Sequence, residues 1–210
     1  MDKKYARICK MLSFALYTLG RMEVQGVENI PSEGGCILAL NHISRLDTPL
    51  TGITSPRQVY ALVAAKYKSY PLFSWFIEAI GGIWVQRTQF SREPLMTAIK
   101  VLKRGDVLGL APEGTRSPHG ALQLGKPGVA FIAAHAGVPI VPVGITGTQK
   151  MSDLLRLRRM RLSITYGEPF YLPKKGRLSS EELAAATELI MVRIAALLPP
   201  AYRGVYAEKI

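Results

Sequence analysis

A histidine and a carboxylate follow directly after an apolar run of the chain. Residues Cys36–Leu40 are all apolar and are typical of a buried strand; His42 comes two residues later and Asp47 five after that. Open α/β sheets carry their chemistry at strand ends, so we place both side chains there, on the turn into the next helix. Asp47 folded back onto His42 would hold the Nδ1 proton and leave Nε2 as a general base. The alternative is that His42 caps a turn and Asp47 caps the helix.

Three further motifs follow in the chain: Gly81–Arg87, Pro112–Ser117 and Val138–Val143. With the Asn-His-x-Ser-x-x-Asp motif at Asn41–Asp47, their order and intervals resemble the four blocks of the glycerolipid acyltransferase family, nearest to the 1-acyl-glycerol-3-phosphate acyltransferases. The likeness runs from about Val24 to Gly167. It implies transfer of a fatty acyl group from acyl-CoA or acyl carrier protein to the free hydroxyl of 1-acyl-glycerol 3-phosphate, giving phosphatidate in phospholipid biosynthesis.

The resemblance also implies roles for individual residues. It makes His42 and Asp47 the catalytic pair, and it assigns the grip on the acceptor phosphate to Glu113, Gly114, Thr115 and Arg116. A guanidinium binds phosphate through two parallel hydrogen bonds, which suits that role. The alternative for an isolated Glu-Gly-Thr-Arg motif is an Arg116–Glu113 ion pair that serves only structure.

Two more cations belong to the expected acceptor site. Arg87 is implied as a second phosphate or glycerol contact, and Lys126 as a third candidate. Gly125 stands where relatives carry Phe, Ala111 where many carry Phe and Gln86 where an acidic residue is common. These departures surround the acceptor site, so they bear on the identity of the acceptor more than on the type of reaction.

A nucleophilic serine is not part of the expected machinery. His42 and Asp47 are two-thirds of a serine-type triad, so the acceptor's own hydroxyl would attack the thioester and no acyl-enzyme would form. Ser44 is expected to make local hydrogen bonds. Cys9, Cys36 and the histidines lack zinc-site spacing, so we predict no metal and no cofactor beyond the acyl donor. Two distant cysteines, one in a predicted strand, indicate a reduced, intracellular chain.

The composition indicates an ordered protein with an anionic partner. The 210 residues are 48% hydrophobic and 20% charged, with a formal charge of +12. Nucleic acid, anionic lipid headgroups and CoA-bearing substrates would all satisfy that charge. The alternatives within acyl transfer are glycerol 3-phosphate or another lysolipid as acceptor. A non-catalytic basic membrane- or nucleic-acid-binding protein has no need for His42, Asp47 and Arg116 together, so nucleic acid is not expected as a partner.

Apolar runs alternate with helical patterns, which predicts an α/β fold with a mainly parallel central sheet flanked by helices. Gln25–Pro31 is expected to form a short strand and turn, and Val138–Val143 a strand that shapes the acyl pocket. The remaining predicted strands are Cys36–Leu40, Val59–Val63, Gly82–Gln86, Val107–Ala111, Ile140–Gly144 and Leu162–Tyr166. Three helices are predicted. The first begins at a Ser91 cap and ends at Gly105, the second spans Val129–Ala136, and the third begins at a Ser179 capping box.

Residues 1–20 are expected to form a basic amphipathic helix ahead of an acyltransferase domain at 21–210. The uncharged stretch Met11–Leu19 is too short to span a bilayer and no signal-peptide cleavage site follows it. A basic helix with an apolar face can lie in the membrane interface, which predicts a peripheral or monotopic protein on the cytoplasmic face of an anionic membrane. The alternative is an ordinary helix packed on the domain.

Two segments allow more than one interpretation. Tyr70–Ile77 is rich in aromatic residues, which favours core over an acyl-channel wall or a lipid contact. The basic run Arg156–Arg161 favours a solvated face over a contact with anionic lipid or a carrier protein.

Overall fold

A mainly parallel sheet forms the centre of the computed structural model, which describes residues 3–86, 92–150, 160–173 and 176–210. Within those residues the sheet has seven strands in the order β1-β7-β6-β2-β5-β3-β4. Strands β6, β2, β5, β3 and β4 are parallel, whereas β7 is antiparallel to β6 and pairs in parallel with β1. The strands are β1 Gly20–Gln25, β2 Cys36–Leu40, β3 Val59–Ala64, β4 Gly82–Val85, β5 Val107–Leu110, β6 Ile140–Thr146 and β7 Met160–Tyr166. The predicted fold class is confirmed.

Helices cover both faces of this sheet. Side chains of α4, α5 and α6 share one apolar core with the sheet, while α2 packs into a second core on the opposite face. The helices are α1 Lys3–Leu19, α2 Asp47–Thr54, α3 Pro71–Ala79, α4 Glu93–Lys103, α5 Gly128–Ala136 and α6 Ser180–Ala196.

Strand β2 lies at the centre of the molecule because both of its faces are apolar. Side chains alternate across a strand, so Ile37 and Ala39 enter the core beneath α4–α6 while Cys36, Leu38 and Leu40 enter the other. A strand that is buried on both faces needs an unbroken apolar run, and this one has it. Its last residue delivers the chain to Asn41 and His42 at the edge of the core.

The capping box predicted to begin the last helix is confirmed. The Ser179 hydroxyl accepts the N–H of Glu182 at 3.1 Å, and the Glu182 carboxylate accepts the N–H of Ser179 at 2.7 Å. This reciprocal pair is the capping box that begins α6. Helix α4 has Arg92 at its N-cap and is followed by Gly105, whereas the predicted cap Ser91 lies outside the described residues.

The first strand was misplaced by the sequence prediction. The strand is Gly20–Gln25 and not Gln25–Pro31: Gly26 adopts a left-handed backbone at φ 71°, and Val27–Asn29 forms a 3-10 turn. A side chain at Gly26 would meet the carbonyl of Tyr166, so the chain must turn away from β7 at this residue. Strand β1 alternates half-buried and exposed residues, which is typical of a sheet edge.

Helix α1 is tied to the domain through Tyr5. Its side chain is 1% exposed; the hydroxyl donates to the carbonyl of Gly52 at 3.1 Å and accepts the N–H of Val59 at 3.2 Å. Helix α1 also contacts α2, α3 and β1. Among the described residues there is no helix of the length and apolarity that a membrane span needs.

The core interpretation of Tyr70–Ile77 is wrong for Tyr70 and Trp75, whereas Phe76 in the same segment is half-buried. Tyr70 is 62% and Trp75 is 54% exposed, because α3 lies over the edge strand β4 and presents part of its surface to solvent. In the basic run, Arg161 is exposed on β7, while residues 156–159 lie outside the described residues.

Candidate active site

Three adjacent parallel strands place the site. Strands β6, β2 and β5 are neighbours, and their carboxyl ends lie at the same edge of the sheet. Thr148 follows β6, His42 follows β2 and Glu113 follows β5, each within three residues of the strand. The strand order therefore gathers residues from three distant segments at one point, where open α/β sheets bind their ligands.

His42 and Asp47 form a hydrogen-bonded pair. Nδ1 of His42 lies 2.8 Å from Oδ2 of Asp47, and the His42 side chain is 25% exposed whereas that of Asp47 is fully buried. A carboxylate only accepts hydrogen bonds, so the proton of this pair lies on Nδ1. In the neutral imidazole Nε2 is then the nitrogen without a proton, and it can act as a base toward a substrate at the surface.

The Asp47 carboxylate closes the loop before α2 and does not cap the helix. Its Oδ2 accepts the N–H groups of Ile43 at 2.7 Å and Ser44 at 2.8 Å, both of which precede α2. Leu46 occupies the N-cap position without a side-chain bond, so the alternative of Asp47 as an N-cap is wrong. The hydroxyl of Ser44 accepts the N–H of Leu46 at 3.3 Å, the local role that was predicted for it.

Glu113 is buried and is bonded to main-chain groups. It is 1% exposed; Oε1 accepts the N–H of His42 at 3.0 Å and Oε2 accepts the N–H of Gln123 at 3.0 Å. Burial raises the pKa of the Glu113 carboxyl, and these two N–H groups offset part of that rise. Although both residues are described, Glu113 and Arg116 do not form an ion pair.

The loop after β5 holds the main chain of His42 from both sides. Besides the bond from His42 to Glu113, the N–H of Ser117 donates to the carbonyl of His42 at 2.7 Å. Residues Gly114, Thr115 and Arg116 between these two anchors are exposed. Three of the predicted acceptor residues are thereby presented to solvent beside the catalytic candidate.

Lys126 is brought against the same loop. Its N–H donates to the carbonyl of Pro112 at 2.8 Å. A β-carbon built on Gly114, whose φ is 70°, would lie 3.2 Å from Cδ and 3.4 Å from Nζ of Lys126. The side chain of Lys126 therefore lies across Gly114, the residue directly before Thr115 and Arg116.

Gly125 is explained by its contact with α6. A β-carbon at this position would lie 2.6 Å from Cγ of Met191 and 2.9 Å from Cγ2 of Thr187. There is no space for the Phe that relatives carry, because the loop packs directly on the helix.

Arg87 lies outside the described residues, so its assigned contact stays a prediction. Strand β4 ends at Val85, and strands β3 and β5 separate it from β2 in the sheet. In the part of the chain that the structure describes, no group of three or more His, Cys, Asp and Glu residues could hold a metal ion.

Sequence reasoning missed two buried polar residues. The amide of Asn41 donates to the carbonyl of Ile145 at 2.9 Å and accepts its N–H at 2.7 Å, which joins the ends of β2 and β6. The hydroxyl of Thr148 donates to Oδ1 of Asp47 at 2.6 Å. Asn41 directly follows a predicted strand, which was a signal for it, whereas Thr148 lies four residues beyond the predicted strand Ile140–Gly144. Only the strand order shows that Asn41 meets Ile145 and that Thr148 meets Asp47.

Comparison with known proteins supports the resemblance seen in the motifs. A family model described as Acyltransferase matches residues 21–146. A 1-acyl-sn-glycerol-3-phosphate acyltransferase of Bacillus subtilis is 29% identical over 90% of this chain and 94% of its own length. A chloroplastic 1-acyl-sn-glycerol-3-phosphate acyltransferase of Brassica napus is 32% identical over 66% of this chain, but over only 41% of its own length.

A solved structure gives the same result for the fold. The crystal structure of PlsC from Thermotoga maritima, a 1-acyl-sn-glycerophosphate acyltransferase, superposes with a TM-score of 0.71 and 29% identity. The match covers 92% of this chain and 78% of that protein. The two proteins therefore share the fold over most of their lengths.

Proposed function

Because the chain belongs to the Acyltransferase family, we propose that it transfers a fatty acyl group from a thioester donor to the free hydroxyl of 1-acyl-glycerol 3-phosphate. The observation that carries the proposal is the His42–Asp47 pair, with Nδ1 and Oδ2 at 2.8 Å beside the exposed turn of Gly114, Thr115 and Arg116. This arrangement supports a base that acts next to a surface suited to the acceptor phosphate. The product would be phosphatidate.

The proposed reaction uses the exposed nitrogen of His42 as the base and the buried carboxylate of Asp47 as its support. Nε2 of His42 removes the proton from the acceptor hydroxyl as its oxygen attacks the thioester carbon. Asp47 stabilises the imidazolium that forms, since the buried carboxylate already holds Nδ1–H. The C–S bond then breaks, the proton on His42 passes to the departing thiolate, and free CoA or acyl carrier protein leaves. No acyl-enzyme intermediate is required.

The acceptor phosphate is assigned to the exposed cations beside His42. Arg116 offers two parallel hydrogen bonds to phosphate oxygens, and the ammonium of Lys126 adds a point charge. Thr115 offers a hydroxyl, and Gly114 lets Lys126 lie close to the turn. Arg87 is retained as a further contact on the strength of its motif. Glu113 supports this surface from beneath, by its bonds to the main chain of His42 and Gln123.

We further propose that the protein works as a peripheral membrane enzyme, because its acceptor and product are lipids. Met11, Phe14 and Tyr17 are spaced at intervals of three on α1, share one side of the helix and are 71%, 73% and 57% exposed. Trp75 of the adjacent α3 is also exposed, and the Lys4 ammonium lies 5.2 Å from its ring centroid. Aromatic side chains with flanking cations suit the headgroup region of an anionic bilayer.

An acceptor panel with one labelled acyl thioester tests the proposed reaction. Purified protein is incubated with a radiolabelled acyl donor, either acyl-CoA or the acylated form of acyl carrier protein. Each donor is offered 1-acyl-glycerol 3-phosphate, glycerol 3-phosphate and a phosphate-free lysolipid as acceptors. The expected result is labelled phosphatidate with equimolar release of free thiol. His42→Ala should form neither product. Acylation of another acceptor would correct the substrate, whereas no thiol release with any acceptor would favour a non-catalytic membrane-binding protein.

A further inference from the structure

We propose that Thr148 is a positioning residue for catalysis, which fixes the Asp47 carboxylate and, through it, the ring of His42. The inference rests on the general-base role proposed for His42. The Thr148 hydroxyl is fully buried and donates to Oδ1 of Asp47 at 2.6 Å. The opposite oxygen, Oδ2, is the one that holds Nδ1 of His42.

The two oxygens of Asp47 have different kinds of partner. Oδ2 is bonded within its own segment, to Ile43, Ser44 and His42, which are three to five residues away. Oδ1 is bonded to Thr148, which is 101 residues away on the neighbouring strand's loop. Among the described hydrogen bonds to this carboxylate, that of Thr148 alone comes from outside residues 42–47. It therefore prevents rotation of the carboxylate and anchors the pair to the sheet.

The main chain around Thr148 is itself held in place. Three residues earlier, both main-chain groups of Ile145 are bonded to the side chain of Asn41. Gly147 turns the chain at φ 85°, where a β-carbon would lie 1.9 Å from the carbonyl of Arg161, so only glycine fits. One residue later, the side-chain amide of Gln149 donates to the hydroxyl of Tyr202 at 2.6 Å. Because this turn is held in place, the Thr148 hydroxyl can fix the orientation of the Asp47 carboxylate.

Three variants separate this role from a contribution to folding. Thr148→Val keeps the shape but removes the donor, and we expect kcat to fall about 10- to 100-fold, the equivalent of one hydrogen bond to a charged group, with both KM values nearly unchanged. Thr148→Ser keeps the donor and should retain kcat close to that of the wild type. Thr187→Val is the matched control, since that buried hydroxyl bonds only the carbonyl of Leu183 on α6 among its described contacts.

A second measurement does not depend on activity. Nitrogen-15 spectra of histidine-labelled protein, with the signal of His42 identified from His42→Ala, report which ring nitrogen carries the proton. In Thr148→Val the His42 resonances should shift toward a mixture of tautomers, while those of His135 on α5 stay unchanged. This arm still decides the role of Thr148 if the wild type fails to acylate any acceptor, an outcome that would instead refute the proposed function.

The outcomes are distinguishable. Loss of kcat in Thr148→Val, retention in Thr148→Ser and a shift of the His42 signals support the proposal. Wild-type kcat in Thr148→Val, equal losses in the Val and Ser variants, or unchanged His42 signals in Thr148→Val overturn it. Far-ultraviolet circular dichroism and urea unfolding check each variant, and Thr148→Ala, which lacks the hydroxyl but adds no bulk, takes the place of Thr148→Val if the latter does not fold.

Discussion

Oε1 of Glu113 accepts the main-chain N–H of His42 at 3.0 Å, although the two residues are 71 positions apart in the chain. The other oxygen, Oε2, accepts the N–H of Gln123. The acidic residue of the Pro-Glu-Gly-Thr-Arg motif is thus buried, while Gly114, Thr115 and Arg116 after it face solvent. In this motif, Glu113 holds the main chain of His42 in place, whereas the three residues after it are available to a ligand.

Glu113→Gln should weaken this brace. An amide has a single acceptor oxygen, so the N–H of either His42 or Gln123 would face an NH₂ group. A buried donor without a partner costs about 1–3 kcal/mol, which is the expected loss in the free energy of unfolding, together with a lower kcat. Urea unfolding and steady-state kinetics measure both. Glu23→Gln, at an exposed site on β1, is the matched control, and equal stability of the two variants would contradict the assignment.

The same carboxyl predicts a pH dependence of stability. Burial raises the pKa of Glu113 in the folded protein, so the folded state holds this proton more tightly than the unfolded chain does. The stabilisation from this group is therefore present below the ordinary carboxyl pKa and is lost as the pH rises through the raised value. The stability difference between wild type and Glu113→Gln should favour the wild type more at acidic than at neutral pH. A pH-independent difference would mean that Glu113 does not titrate in this range.

The strands at the centre of the sheet could be predicted because each of them is an apolar run. Cys36–Leu40 was predicted to the residue, since a strand buried on both faces has no polar interruptions. Strand β1 was misplaced because an edge strand alternates Arg21, Met22, Glu23 and Val24, a weaker signal beside a strongly helical neighbour. The exposure of Trp75 was missed because composition does not say which helix will lie over a sheet edge.

The site was predictable only where its contacts are local. His42 and Asp47 lie five residues apart, so one turn suffices to join them. Thr148 meets Asp47, and Asn41 meets Ile145, only because β6 lies next to β2 in the sheet. No local pattern contains that strand order. The bracing role of Glu113 similarly depends on the pairing of β5 with β2.

His42→Ala should abolish turnover without unfolding the protein, because the side chain is one-quarter exposed and supplies the base. General base catalysis is worth about 10²–10⁴-fold, which sets the expected loss in kcat. Asp47→Asn should also retain the fold, since its oxygen can accept the bonds to Oδ2 while its NH₂ donates to the Thr148 hydroxyl. That variant loses the negative charge that stabilises the imidazolium. Near-normal activity of folded His42→Ala would refute the mechanism.

Arg116→Ala should weaken binding of the phosphorylated acceptor. A charge-assisted hydrogen bond contributes about 1.5–3 kcal/mol, so the KM for the acceptor should rise about 10- to 100-fold while the KM for the acyl donor changes little. Lys126→Ala should act in the same direction, because its amine lies over Gly114. Lys103→Ala, which removes one charge from the exposed end of α4, controls for net charge. A rise in the donor KM instead would assign the motif to the other substrate.

The membrane proposal is best tested by substitutions on α1 and not by its deletion. Removing residues 1–19 would also remove Tyr5, whose buried hydroxyl bonds Gly52 and Val59, so lost binding could reflect a damaged fold. Phe14→Ser and Tyr17→Ser change exposed side chains only. Burying one large apolar side chain contributes about 1.5–3 kcal/mol, so each should weaken binding to vesicles about 10- to 100-fold.

Co-sedimentation with vesicles of anionic lipid, at low and high salt, measures this binding, and Met96→Ser supplies the control. Met96 is 50% exposed on α4, which packs on the opposite face of the sheet from α2, the helix that α1 contacts. Activity toward a membrane-embedded acceptor should fall with binding in the α1 variants, while a short-chain soluble acceptor is still acylated. If Phe14→Ser, Tyr17→Ser and Met96→Ser all bind like the wild type, α1 is a packing helix only. The lipid contact would then have to be sought at Tyr70 and Trp75, whose exposed rings form the neighbouring surface.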